Sequence, residues 1–322
     1  MIDTPLSVLD LPMIEAGRSA PDIMSGLTDV ARRVDELGYR RLWYPEHHAT
    51  AGIAEFPPGI VAAQAAAVTS TIRVGSGGVL APNHVPLSVA EQFGALAALH
   101  PGRIDLGIGR GPGTLDQAAI RALRRGADAV TDQQYADDVA EILRLLEDRG
   151  ADLEPWLLSS STAGAGLAAR LGLPVAFAYH LRPQNTAESL ERYRREFQPS
   201  RWSDAPRVML SVLVVCGDTD AEAERLARPF DVMLSTAFGE GREIPMPTPQ
   251  DAAKHVFTAK QQEAITAYRV GHLLGDPRTV TGALTELAAR YDADELMLTT
   301  PIFDAKDRIR SFELVANASP AR

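Results

Sequence analysis

Ile72-Arg73-Val74-Gly75-Ser76-Gly77-Gly78-Val79, then the run Pro86 to Leu99, then Ile104-Asp105-Leu106-Gly107-Ile108-Gly109-Arg110-Gly111-Pro112-Gly113, is the stretch on which the fold reading turns. Two short β-branched segments, each running into glycine and separated by a segment of helical period, form one βα unit of a parallel sheet. The same rhythm extends upstream through Leu6 to Asp10, a helix opened by Pro21-Asp22 and stopped at Gly38, Arg41 to Tyr44, and a helix from Gly59 to Thr69. Downstream, an amphipathic segment from Thr131 to Glu147 precedes Trp156 to Leu158, Val175 to Phe177, Met209 to Val215 and Glu295 to Thr299. Eight strands alternating with helices predict an α/β fold of the closed (β/α)8 TIM-barrel type, spanning 1–322 as one domain. An open nucleotide-binding sheet would carry a glycine-rich turn after its first strand, where Leu11-Pro12-Met13 stands instead. Between the seventh and eighth strands, Phe238 to Pro249 is rich in Gly and Pro and reads as irregular; helical pattern returns after Asp251 and from Pro277 to Tyr291. This is an insertion, with a lid expected around 235–265.

Composition narrows the function. A chain of 322 residues with 45% hydrophobic content can bury one large core, and a formal net charge of -10 argues against nucleic-acid and acidic-membrane partners. A single cysteine, Cys216 in an apolar run, leaves no disulfide framework and no thiolate metal site, which suits a reducing cytoplasm. The longest apolar stretch, near Ile60 to Val68, is too short to span a bilayer. The remaining histidines, His84, His100, His180, His255 and His272, are dispersed without metal-ligand spacing, so no metal is expected.

In a barrel, chemistry gathers where strands pass into loops at their C-terminal ends. Glu46-His47-His48 follows the second strand, and the pair of imidazoles reads equally as proton-handling groups or as loop histidines satisfying backbone. The glycines at 75, 77 and 78 open space for a planar ligand or make a tight turn. Arg110 between glycines presents a guanidinium fork to a phosphate or to solvent. Ser159-Ser160-Ser161-Thr162, ahead of a helix beginning near Ala163, either gathers donors for an anion or simply caps the helix. No GxSxG elbow supports a serine nucleophile.

Taken in order, Tyr44-Pro45-Glu46-His47-His48, Val74 to Val79, Pro82-Asn83-His84 with Ala90-Glu91-Gln92, and Pro101 to Gly111 resemble the bacterial-luciferase-like flavin-dependent monooxygenases over nearly the whole chain. Gly172-Leu173-Pro174 and Ala293 to Met297 are similar to the branch containing monooxygenases of aromatic polyketide pathways. The resemblance implies that reduced FMN and oxygen act on a small organic substrate, in secondary metabolism. It implies His47 as the active-site histidine with His48 supporting it, and a cis peptide at Gly77-Gly78 beneath the flavin. Arg110, Ser160 and Ser161 would serve as phosphate ligands, with Asp116 near the flavin. A homodimer and a separate NAD(P)H:flavin reductase are the implied partners. The segment from Gly126 to Trp156 is shorter than the family pattern, and Ser159 replaces an expected glycine. F420-dependent hydride transfer on the same fold, and flavin binding without turnover, are the rival readings.

Overall fold

The computed structural model describes residues 2–54, 56–124 and 130–318; Gly126, where the shortened segment begins, lies outside them. The chain begins β1 (Leu6–Leu9), α1 (Ala20–Glu36), β2 (Arg41–Tyr44), α2 (Pro58–Val68), β3 (Arg73–Leu80), α3 (Pro86–Leu99) and β4 (Ile104–Gly109). It continues through α4 (Gln117–Leu123), α5 (Asp132–Asp148), β5 (Leu153–Ser159), α6 (Thr162–Arg170), β6 (Val175–Phe177), α7 (Thr186–Glu196) and β7 (Val208–Cys216). Then come α8 (Asp220–Glu240), α9 (Pro249–Lys254), α10 (Ala259–Tyr268), β8 (His272–Gly275), α11 (Pro277–Tyr291), β9 (Glu295–Thr299) and α12 (Ala305–Asn317). Capping boxes at Ser19/Asp22 and Thr131/Gln134 fix the starts of α1 and α5. Ile23, Leu27, Val30, Ala31 and Val34 then place one face of α1 on the sheet.

All strand pairings are parallel, and they close: β1 to β7 pair in sequence, β7 pairs with β9, and β9 returns to β1. The eight-stranded barrel expected from the sequence is therefore the architecture. β8 lies outside the ring of eight, pairing with β7 at 213–216, beyond the point where β6 stops at Leu210. The sequence reading has no strand there, because His272-Leu273-Leu274-Gly275 is too short to show alternation. The reading also differs at Phe238: α8 runs on through Glu240 and is ended by Gly241 in the left-handed region, so irregular chain begins later.

Alternation along the strands stacks the barrel interior in layers. At the N-terminal end Arg41, with no exposed surface, donates from Nε to Glu295 at 3.0 Å and from Nη1 to Asp105 at 2.9 Å, and its Nη1 lies 3.0 Å from Glu154. Arg73 binds Asp105, Arg207 reaches Glu154, and Ser7 donates a short bond to Glu295. Burial works against the Arg41 charge, yet the surrounding carboxylates hold it firmly protonated. The next layer is apolar: Leu9, Trp43, Trp156, Ala176, Met209 and Met297 pack together, and Trp43 sends its indole N–H down to Asp105 at 2.9 Å. Glycine on β3 is what admits Trp43, since a Cβ at Gly77 would stand 2.7 Å from Leu9 Cδ1 and 3.1 Å from Trp43 Cβ. Part of the glycine signal read for a ligand thus belongs to interior packing. These two layers fill the lower barrel and leave only its C-terminal end open.

Removing one partner of a buried ionic set strands the others without compensation, which costs about 3 to 5 kcal/mol. Arg41→Ala is expected to lose stability of that order in urea unfolding, whereas Arg144→Ala, which removes an exposed helix-surface pair, leaves the unfolding midpoint essentially unchanged.

Candidate active site

The open end holds a cavity of about 1320 Å³. His47, Gly77, Gly78, Arg110, Ser160 and Ser161 all line it, so β3 and the loops after β2, β4 and β5 bring six of the sequence-selected residues to one space. His48 and Asp116 are not among its lining residues. Asp116 instead caps α4, accepting from Ala118 N–H at 2.6 Å and Ala119 N–H at 3.2 Å.

His48 turns toward Glu46, its Nε2 lying 2.6 Å from the carboxylate. Glu46 is the anchor of this corner: His84 Nε2 lies at 2.8 and 2.9 Å from its two oxygens, and Leu80 N–H donates to it at 2.9 Å. Burial alone would raise the Glu46 carboxyl, but the hydrogen bonds from His48, His84 and Leu80 outweigh it and hold the group at about 2. A carboxylate that stays charged thus pins the exit of β2 to the exit of β3 and fixes the intervening His47. The sequence reading passed over Glu46 and His84 as site residues. They were legible only as parts of quoted motifs, because nothing in a linear spacing of 38 residues announces a contact.

The Nδ1 of His47 is buried and has no hydrogen-bond partner among the described residues. Burial, reinforced by repulsion from His48 and partly opposed by Glu46, lowers its pKa to about 4, so the ring is neutral at pH 7. The Gly77-Gly78 peptide is cis. Across the cavity mouth, Arg110 is half-exposed, paired to Asp132 at 2.5 Å and set 5.9 Å from the Tyr135 ring centroid.

Ser161 caps α6 by accepting from Gly164 N–H at 3.2 Å, and its carbonyl takes Ala165 N–H at 3.0 Å. The N–H groups of Thr162 and Ala163 consequently have no intrahelical partner. Ser159 accepts from Ser161 N–H at 3.1 Å and donates to the Ser161 carbonyl at 2.9 Å, closing the turn that the sequence places where glycine was expected. Ser160 fixes the opposite side through its carbonyl, which accepts from Asn185 at 3.0 Å. No cluster of His, Cys, Asp and Glu able to hold a metal occurs among the described residues, and none of the described helices is long and apolar enough to cross a membrane.

The upper rim of the barrel thus gathers a neutral buried histidine, a cis glycine pair, an arginine and a serine-capped helix around one cavity. The chain belongs to the luciferase-like monooxygenase family, whose profile matches residues 5–292. It is 37% identical over 321 residues to a luciferase-like monooxygenase of Escherichia coli (strain K12), covering 96% of this chain and 95% of that one. It is 30% identical over 331 residues to the N-acetyl-S-alkylcysteine monooxygenase of Bacillus subtilis (strain 168), covering 97% of each. The crystal structure of apo-MsnO8 superposes with a TM-score of 0.87 at 34% identity, covering 99% of this chain and 100% of that chain.

Because the pKa of His47 is lowered, the imidazole stays neutral through the range where an ordinary histidine protonates, between about pH 6.5 and pH 4. Nitrogen-detected NMR of histidine-labelled protein at pH 5.5 is expected to show neutral imidazole signals, one of which disappears in His47→Gln.

Proposed function

We propose that this enzyme is an FMNH2-dependent monooxygenase that oxygenates a small organic substrate, with the cavity as its active site. The observation carrying this reading is that an unpartnered buried imidazole and an arginine at the mouth open onto one space, large enough for a phosphorylated planar cofactor and a substrate together. The residues present fit FMN: Arg110, the hydroxyls of Ser160 and Ser161 and the first-turn amides of α6 would hold its phosphate. Asp132 competes for that guanidinium and must yield it. Gly77 and Gly78 present backbone without side chains to the ring. When bound, reduced FMN supplies the two-electron activation of oxygen.

The chain's own contribution is placement and proton handling. His47, neutral and fixed by the Glu46 corner, holds or accepts a proton toward the reacting oxygen. Leu9, Trp43 and Met297 make the floor apolar and keep water from the reaction. We place His48 as a support of Glu46 and Asp116 as a helix cap. The segment 235–265 acts as a cover for the mouth, a role supported by Phe238 and Ala264 in the lining. The chain works as one barrel domain in the cytoplasm, supplied by a separate NAD(P)H:flavin reductase. It pairs as a homodimer, a reading supported by exposed Ile60, Val85, Leu87 and Leu99 on and beside α2 and α3. Tailoring of aromatic polyketides is the substrate setting we favour, supported by the likeness of Gly172-Leu173-Pro174 and Ala293 to Met297 to that branch of the family.

The test supplies labelled oxygen and a panel of aromatic ketones and phenols with either FMN, NADH and a flavin reductase or, in a parallel arm, reduced F420, read by mass spectrometry. Labelled product is expected from the wild type, with His47→Ala forming it at least about a hundred-fold more slowly and binding FMN unchanged. Arg110→Ala should weaken FMN by roughly ten-fold or more, as loss of a charge-assisted hydrogen bond does. Consumption of reduced F420 with no labelled oxygen in any product would assign hydride transfer instead. Tight FMN binding without oxygen consumption would mark a binding protein.

A further inference from the structure

Opposite His47 the cavity has a second polar wall that the proposed chemistry leaves unused. His47 follows β2 and His180 follows β6, four strands apart in a ring of eight and so on facing sides of the mouth. Ser211 on β7 and Thr299 on β9 point into the cavity from adjacent strands, where Ser211 is level with Met297 and Leu213 with Thr299. Their hydroxyls are buried, the residues being 6% and 2% exposed, and neither has a hydrogen-bond partner among the described residues. A buried hydroxyl without a partner is destabilising, so two on neighbouring strands, offset by two residues and facing one cavity, mark a place where a ligand completes the bonding.

The histidines define what that ligand offers. The Ser211 carbonyl can only accept, so His180 Nδ1 carries the hydrogen of their 3.0 Å contact and Nε2 is left as a lone pair. His272 on β8 also lines the cavity, and the His180 carbonyl faces its ring. Burial lowers the pKa of both imidazoles, and repulsion from His180 and Arg269 lowers that of His272 further, to about 4; both are neutral acceptors at pH 7. No cavity-lining residue within β6, β7, β8 or β9 carries a formal charge, and the one cation in the loop after β6, Arg182, is exposed at the rim, so no buried charge at the level of Ser211 and Thr299 compensates a carboxylate or an ammonium group. The rim above it is apolar: Leu181, Phe238 and Val270 line the mouth with most of their side-chain surface exposed.

Resting on the monooxygenase reading, we propose that His180, His272, Ser211 and Thr299 form a substrate subsite for a neutral hydrogen-bond donor, a hydroxyl or a carboxamide N–H, on an otherwise apolar molecule. His180 accepts from the donor, Ser211 and Thr299 bond to its oxygen, and the apolar remainder lies along the rim. These are positioning residues, and they set which substrate atom faces His47.

The test uses 4-ethylphenol and its O-methylated counterpart 4-ethylanisole, titrated calorimetrically into FMN-loaded protein. The wild type is expected to bind the phenol at least ten-fold more tightly. Ser211→Ala with Thr299→Val should abolish that preference, leave the anisole and FMN affinities unchanged, and keep the thermal midpoint at or above that of the wild type, because the lost hydroxyls had no partners. Thr299→Ser should retain the preference. Equal binding of the two probes by the wild type, or failure of both to bind, would overturn the subsite. A fall in FMN affinity in the double variant would overturn it too, giving the wall to the cofactor. The preference is measured without turnover, so absence of labelled oxygen would remove the monooxygenase reading alone, whereas oxygenation without the preference would remove only the subsite.

Discussion

One fully buried guanidinium organises this molecule. Arg41 stands inside the barrel among Asp105, Glu154 and Glu295, so it joins β2 to β4, β5 and β9 through side chains as well as through the sheet. Neither the arginine nor its carboxylates could remain buried alone, since an unpaired charge in a poorly polarisable interior costs several kcal/mol. Their mutual dependence fixes the relative heights of these strands, and with them the positions at which the strands hand over to loops. The Trp43–Trp156 layer, with ring centroids 5.8 Å apart, seals the ionic layer from above. What remains open is the C-terminal end, and only there can a ligand enter.

The site is a consequence of that filling. With the lower barrel occupied, each loop is anchored on a rigid strand end, and Glu46 converts one such anchor into a position for His47. The division of labour across the mouth follows from side-chain chemistry: glycine and a neutral imidazole on the β2–β3 side, a guanidinium and a capped helix toward β4 and β5, uncharged acceptors and hydroxyls on the β6 to β9 side. Low dielectric surroundings keep both His47 and His272 from protonating, so these two imidazoles meet a ligand as neutral dipoles, while formal charge is supplied from elsewhere in the lining, as at Arg110 and Asp132.

The barrel was legible because each long strand or helix carries its own periodicity. Val208–Cys216 is apolar at almost every position, as a strand covered on both faces must be, and α1 announces its buried face at helical spacing. β8 was not legible, because four residues give no period. The continuation of α8 past Phe238 was masked by the neighbouring glycines, although Gly241 is what ends the helix. The ligand-facing residues that stand on strand ends, His47, Arg110 and Ser160, could be found from the βα pattern. Glu46, His84, Ser211 and Thr299 could not, since their significance lies in contacts, or in the want of them, between segments far apart in sequence. His180 and His272 looked dispersed for the same reason: β6 and β8 meet the same edge of β7 at different heights, and only the closed sheet brings their ends to one cavity.

The most direct measurement is a crystal structure of the protein soaked with FMN. The account predicts a single bound molecule whose phosphate lies within hydrogen-bond distance of the Arg110 guanidinium and the N-terminus of α6, with Asp132 displaced and the isoalloxazine reaching His47. FMN bound elsewhere, or seated so that no one molecule touches both Arg110 and the neighbourhood of His47, would contradict it.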